Sequence, residues 1–255
     1  MQEEKEAVIS VEDVGMQFRI PLENQESLKD YLIGFLKGKQ KFRVLKALDH
    51  ISFQVRKGEV MGVIGTNGSG KSTLLKLVAG ALVPTSGRVV ADFDKVHLLT
   101  LGTGFDRELT ARENVYLNGA ILGYSREYIS RKYEEIVRFA ELSGFMDQKI
   151  KNFSSGMVLR LGFAIATARE TPEILILDEV LSVGDLFYKE KSGRRIREMI
   201  HSGATVLIVS HSTATILQNC TRAVWIEKGV QQMVGEPAEV CRAYLEFGRR
   251  RSKDG

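Results

Sequence analysis

The chain has 255 residues, 44% hydrophobic and 27% charged, the balance of an ordinary globular protein. That excludes a disordered chain, a collagen-like repeat and a disulfide-stapled miniprotein. No apolar run approaches the ~20 residues that cross a bilayer, and the acidic start Met1-Gln2-Glu3-Glu4-Lys5-Glu6 is unlike a signal peptide, so a reducing cytoplasm is expected. Cys220 and Cys241 fit that compartment as two free, packed thiols, with a disulfide between them as the minor reading. The net charge of +4 is too small to mark a nucleic-acid binder. Its excess is local: Lys29, Lys37, Lys39, Lys41, Arg43 and Lys46 stand against Asp30 alone, and Arg249, Arg250, Arg251 and Lys253 cluster at the far end.

Short β-type runs alternate with helical ones. Residues 7–11, 16–20 and 47–55 read as strands, rich in Val, Ile and Phe. An apolar strand over 59–65 enters a glycine-rich turn, and a helix over 72–80 follows. Two helices are predicted over 111–123 and 126–142; the second carries Ile129, Tyr133, Ile136, Val137 and Ala140 at helical spacing. A further helix spans 154–169, opened by a serine suited to cap its free amides. Residues 173–177 form a buried strand ending in Asp178-Glu179, 185–200 a helix, 204–210 another buried strand, and 223–227 with 230–234 a hairpin. Such alternation implies an α/β fold: a mainly parallel sheet flanked by helices, with an antiparallel β region from the first strands and a helical region from the middle third.

Gly65-Thr66-Asn67-Gly68-Ser69-Gly70-Lys71-Ser72 satisfies G-x-x-x-x-G-K-[ST] between a predicted strand and a predicted helix. The glycines let backbone amides turn inward around anionic oxygens, and the helix N-terminus adds partial positive charge. Lys71 is expected to reach the β- and γ-phosphates, the Ser72 hydroxyl to ligate Mg²⁺, and Thr73 to continue the binding edge. No G-x-G-x-x-G dinucleotide motif occurs in this stretch. The pattern is that of a nucleoside triphosphate site.

The apolar strand Ile174-Leu175-Ile176-Leu177 delivers Asp178 and Glu179 at its end. Asp178 is expected to hold Mg²⁺ through its hydration shell, and Glu179 to orient and polarise the attacking water. A second apolar strand, 205–209, ends in Ser210-His211, where an α/β sheet has its ligand crevice, which makes His211 a γ-phosphate candidate. His50, His97 and His201 have no such context. A zinc site is not expected, because no Cys/His cluster has ligand spacing.

Between the two acid- and phosphate-bearing segments lies Asn152-Phe153-Ser154-Ser155-Gly156-Met157 at a helix start. This order resembles the ATPase subunit of ABC transporters, in which a serine-glycine signature opens a helix shortly before the Asp-Glu strand. Ser182-Val183-Gly184-Asp185 is similar to the D-loop that follows, and His211 to the switch histidine. The resemblance covers residues 8–244. It implies one nucleotide-binding domain over 1–255, of P-loop NTPase type, with a helical subdomain about 103–170. It also implies a head-to-tail homodimer in which Ser154, Ser155, Gly156 and Asp185 of one subunit close over ATP held by the other.

Two departures from the commonest pattern narrow the resemblance. Residues 153–157 read Phe-Ser-Ser-Gly-Met instead of Leu-Ser-Gly-Gly-Gln, and no glutamine occurs from Asp92 to Tyr116, where the family's Q-loop falls. That leaves the loop's usual Mg²⁺ and water contact unassigned. The stretch contains Leu101-Gly102-Thr103-Gly104-Phe105. Both departures are similar to the ATPases that export bacterial O-antigen, teichoic acid and related surface polysaccharides. A multi-span permease and the cytoplasmic face of the cell membrane are then the implied partners. Residues 114–119, Asn-Val-Tyr-Leu-Asn-Gly, would lie beside the permease's coupling helix. With the chain ending at Gly255, sugar recognition is expected to lie in the permease or elsewhere. The alternatives from other classes are a soluble ABC ATPase acting on ribosomes or DNA, and a transporter ATPase for an unrelated lipid or drug.

An insertion about 22–46 carries Leu28, Tyr31, Leu32, Phe35 and Leu36 on one helical stripe, followed by the basic segment 37–46. It fits a helix packed on its own domain or one lying at the membrane interface with its lysines near anionic head groups; the resemblance favours the second, as the gate helix of the polysaccharide exporters. Phe18 stands where ABC ATPases stack an aromatic on adenine, worth about 1–3 kcal/mol, although a phenylalanine in an early strand also serves as core.

Overall fold

The computed structural model describes residues 6–21, 42–99, 104–168, 172–178 and 186–251. Its strands are β1 (Ala7–Pro21), β2 (Phe42–Arg56), β3 (Val60–Ile64), β4 (Ser86–Ala91), β5 (Val96–Leu99), β6 (Ile174–Asp178), β7 (Thr205–Ser210), β8 (Arg222–Glu227) and β9 (Val230–Gly235). They lie in the order β4-β1-β2-β9-β8-β3-β7-β6-β5. The helices are α1 (Lys71–Val78), α2 (Ala111–Ile121), α3 (Arg126–Ala140), α4 (Ser155–Ala166), α5 (Leu186–His201), α6 (Thr213–Asn219) and α7 (Pro237–Arg251).

Sequence pattern explains the two halves of this sheet. Every residue of β3 and β7 is buried, as continuous apolar runs require when helices cover both faces. These strands pair in parallel with each other, with β6 beyond β7 and with β8 beyond β3. In contrast β1, flanked by β2 and β4, is antiparallel to both. The sheet is therefore the α/β arrangement expected, with its antiparallel region at one side. The middle helices α2, α3 and α4 pack around Val115, Ile129, Ile136, Val137, Leu161 and Ile165. That stripe is the one the 3.6-residue spacing of α3 announces.

Several boundaries differ from the expectation. The first two predicted strands are one, β1, whose register slips between Val11 and Val14 and again before Met16. Asp13 there has a positive φ of 50°, and such a bulge breaks the two-residue alternation that sequence reading depends on. The predicted basic insertion over 22–46 overlaps strand: 42–46 belong to β2 and pair with the end of β1. The predicted amphipathic helix over 28–36 lies outside the described residues. β4, β5, α6 and α7 were not expected from the sequence. Arg249, Arg250 and Arg251 form the last turn of α7, where basic residues interact favourably with the helix dipole.

The segment 114–119 is mostly interior. Asn114, Val115, Asn118 and Gly119 are buried, which leaves Tyr116 and Leu117 as its half-exposed members. Asn114 is 0% exposed. Its side-chain carbonyl accepts from the Asp106 backbone N–H at 2.8 Å, and its amide donates to the Asp106, Leu109 and Thr110 carbonyls at 2.9, 3.3 and 2.9 Å. It thus ties down the loop entering α2, beside the capping box of Thr110 and Glu113. Asn114→Ala should strand these buried groups and lower unfolding free energy by about 1–3 kcal/mol. Urea denaturation with an unchanged slope would measure it.

Both cysteines are free thiols. Cys241 is in the core cluster of Ile64, Ile216, Trp225 and Val240, and Cys220 packs against it. Burial, with a smaller contribution from Cys241, pushes the Cys220 thiol up to about 12, so it stays protonated across the neutral range. Since the thiolate is the nucleophile, alkylation of Cys220 at pH 8 should be slow in the native protein and fast in denaturant. Peptide mass spectrometry distinguishes the two.

Candidate functional site

β3 runs through the middle of the parallel region, so the chain leaves it at the sheet's carboxyl edge. Register fixes what else arrives there. Ile64 lies opposite Ser210, and Val209 opposite Asp178. The residues that end β3, β6 and β7 therefore emerge together, at the edge where α/β sheets take their ligands.

The turn after β3 needs its glycines for different reasons. A Cβ at Gly65 would run into the Ile226 carbonyl oxygen, so only glycine lets the loop cross β8. Gly70 has φ 102° and is the N-cap of α1, with no side-chain cap; a Cβ there would also come within 2.6 Å of the Ala47 carbonyl oxygen. The first turn of α1 contains no acid, which leaves its amide donors and the positive end of its dipole directed to an anion. The Ser69 hydroxyl is buried with no hydrogen-bond partner.

These elements border a cavity of about 670 Å³. Asn67, Gly68, Ser69, Gly70, Lys71, Ser72 and Thr73 line it from the loop and α1, and Asp178 from β6. Phe18 of β1 lies on the same wall while also packing on the main core, so its two readings meet in one position. Lys71 is 6% exposed. Its ammonium donates to the Gly65 and Thr66 carbonyls at 2.9 and 2.8 Å, which brings the cation back across its own loop. A buried ammonium, an uncapped helix start and a carboxylate across the cavity are together able to hold a polyphosphate and a hard cation.

Other expected residues lie elsewhere. Gly65 and Thr66 are not on the cavity wall; the Thr66 hydroxyl donates instead to Glu227 at 2.8 Å. His211 follows β7 and is exposed, outside the lining of this cavity. Ser154 caps α4, accepting from the Met157 N–H at 3.2 Å. Ser154 and Ser155 are exposed, and with Gly156 they stand off the cavity of their own chain. Glu179 and Asp185 lie outside the described residues, as do 101–103. His97 is buried against the Ala166 carbonyl at 3.0 Å, a packing role consistent with its lack of a motif.

Sequence reading missed Leu45, Lys46, Ala47, Lys228 and Gly229, which also line the cavity. Lys228 and Gly229 form the tight turn between β8 and β9, both at positive φ. A Lys-Gly turn is visible in the sequence; its position beside the glycine-rich loop is set by strand order alone.

The sequence profile of the ABC transporter family matches residues 48–182. Among relatives, the chain is 40% identical over 246 residues to the O-antigen export system ATP-binding protein RfbB of Klebsiella pneumoniae, covering 94% of this chain and 98% of that one. It is 40% identical over 251 residues to the protein of the same name from Myxococcus xanthus, covering 96% of this chain but spanning only 57% of that relative. The teichoic acids export ATP-binding protein TagH of Staphylococcus saprophyticus is 37% identical over 239 residues, covering 94% and 88% of the two chains. Among solved structures, a dimeric ATP-binding cassette in a post-hydrolysis state bound to ADP and Pi superposes with a TM-score of 0.67 at 22% identity, over 90% of this chain and 98% of that one. The last likeness concerns the fold; profile and relatives carry the assignment. The chain belongs to the ABC transporter family, as one of its ATPase cassettes.

Proposed function

We propose that the chain is the ATPase subunit of an exporter that moves a cell-surface polysaccharide or teichoic-acid-type polymer across the cytoplasmic membrane. The observation that carries this reading is the identity of 40% along 98% of an O-antigen export ATP-binding protein. The Phe-Ser-Ser-Gly-Met signature and the absence of glutamine over 92–116 support it. No described helix is long and apolar enough to cross a membrane; in this reading a separate multi-span permease supplies the pathway. The chain is read as one nucleotide-binding domain with a helical subdomain about 103–170, working as a homodimer on the membrane's cytoplasmic face.

In this reading Asn67–Thr73 cradles the triphosphate, Lys71 neutralises β- and γ-oxygens, and Phe18 stacks on the base. Ser72 and Asp178 both line the cavity, and their hydroxyl and carboxylate are hard oxygen donors, the kind Mg²⁺ prefers; they would hold it. That ion supplies charge neutralisation on the phosphates when bound. Glu179 takes the proton of the attacking water, and His211 contacts the γ-phosphate. Ser154, Ser155, Gly156 and Asp185 act on the nucleotide held by the second subunit. This accounts for a helix start that is exposed and does not line its own chain's cavity.

Pull-down of tagged Glu179→Gln from native membranes with Mg-ATP, read by mass spectrometry, tests the export function. A multi-span permease should be recovered. Recovery of ribosomes or DNA-repair proteins alone would leave the ATPase chemistry and overturn export. Depleting the chain should also reduce surface glycan while the finished polymer accumulates inside the cell.

A further inference from the structure

The phosphate loop is held from behind by a turn that lies outside its motif. Glu227 ends β8 and is 5% exposed. One carboxylate oxygen accepts from the Thr66 hydroxyl at 2.8 Å, and the other lies 3.5 Å from the donating Thr66 backbone N–H. Two residues on, the Gly229 N–H donates to the Ser69 carbonyl at 2.9 Å. The β8–β9 turn therefore grips the loop at Thr66 and at Ser69. From the last turn of α7, the Arg251 guanidinium comes within 3.6 Å of the same Glu227 oxygen that Thr66 holds.

A buried carboxylate beside a site for a polyanion opposes binding unless it is balanced and useful. Here it has a use. By drawing the hydroxyl and N–H of Thr66 backward, Glu227 directs that residue away from the cavity, while Asn67–Ser72 face into it. From these contacts we infer that Glu227 is a positioning residue of the ATPase. It pins the loop in its anion-accepting curl through Thr66, and Arg251 of the C-terminal helix offsets its charge. The inference rests on residues 65–72 being the phosphate site.

Steady-state kinetics and titration with a fluorescent ATP analogue, on the full chain, test it. Thr66→Val removes the donor at nearly constant shape. It should raise KM for ATP about tenfold, the scale of one hydrogen bond to a charged group, with kcat moving less than KM. Glu227→Ala should do at least the same, and the double variant should be no worse than Glu227→Ala, since the hydroxyl contact that Thr66→Val removes is already lost there. Glu227→Gln, which still accepts from Thr66, should restore most of the affinity. Arg251→Ala should raise KM in the natural background and not beside Glu227→Gln. An unaltered KM in Thr66→Val, additive losses in the double variant, or a fall in kcat alone would overturn the inference. If Glu227→Ala does not fold, Thr66→Val decides the matter, its thermal midpoint confirming an intact protein. Lys71→Ala run in parallel separates the two failures: unchanged binding there refutes the phosphate site itself, and a loss confined to Lys71→Ala refutes only Glu227.

Discussion

Lys71→Ala is expected to weaken ATP binding by about 10- to 150-fold, the range given by about 1.5–3 kcal/mol for a hydrogen bond to a charged group. The ammonium is buried and already directed across its loop by the Gly65 and Thr66 carbonyls, so little side-chain freedom is lost when phosphate oxygens approach. Its loss therefore opposes binding. Titration with a fluorescent ATP analogue reads the loss directly. Because Lys71 opens α1, the variant's circular dichroism should match the parent's. A Kd within twofold of the parent would refute the assignment.

Glu179→Gln should keep ATP bound and reduce turnover by about 10²- to 10⁴-fold, the usual contribution of a general base. Glutamine matches glutamate in size but cannot accept a proton. The residue's role rests on its place directly after Asp178, which lines the cavity at the end of β6. Affinity and turnover should therefore separate in this variant and fall together in Lys71→Ala. A normal steady-state rate in Glu179→Gln would remove Glu179 from the mechanism.

What the sequence made legible was local. The glycine-rich turn after β3, the Asp178 strand and the Ser154 cap each depend on a few consecutive residues whose chemistry does not need the rest of the fold. The buried strands β3 and β7 were equally readable, being unbroken apolar runs. The four-residue β5 was not, because Val96–Leu99 is too short to display a period. α6 is only seven residues long. In α7 the apolar positions are diluted by a run of arginines. The cavity wall from Leu45 to Ala47 and at Lys228-Gly229 was illegible for another reason. No spacing in the sequence says that β2 will lie beside β9; that follows from the closing order of the sheet. Thr66 shows the opposite error, since a residue inside a binding motif turned out to face away from the cavity and toward the helix that ends the described chain.

The join between β2 and β9 has a consequence for how this cassette senses its nucleotide. The two strands share a single paired position, Asp49 with Val230, reinforced by the Asp49 N–H donating to the Gly229 carbonyl at 2.8 Å. The cavity straddles that seam: Phe18 and Leu45–Ala47 stand on the antiparallel side, and Lys71, Ser72 and Asp178 on the parallel side. On the placement proposed, with the base against one side and the phosphates against the other, a nucleotide would work as a staple across the narrowest backbone connection in the sheet. Amide hydrogen exchange at Asp49 should slow on ATP binding more than exchange in the middle of β7. A change of ligand would then register as a change in how firmly the two halves of the sheet are joined.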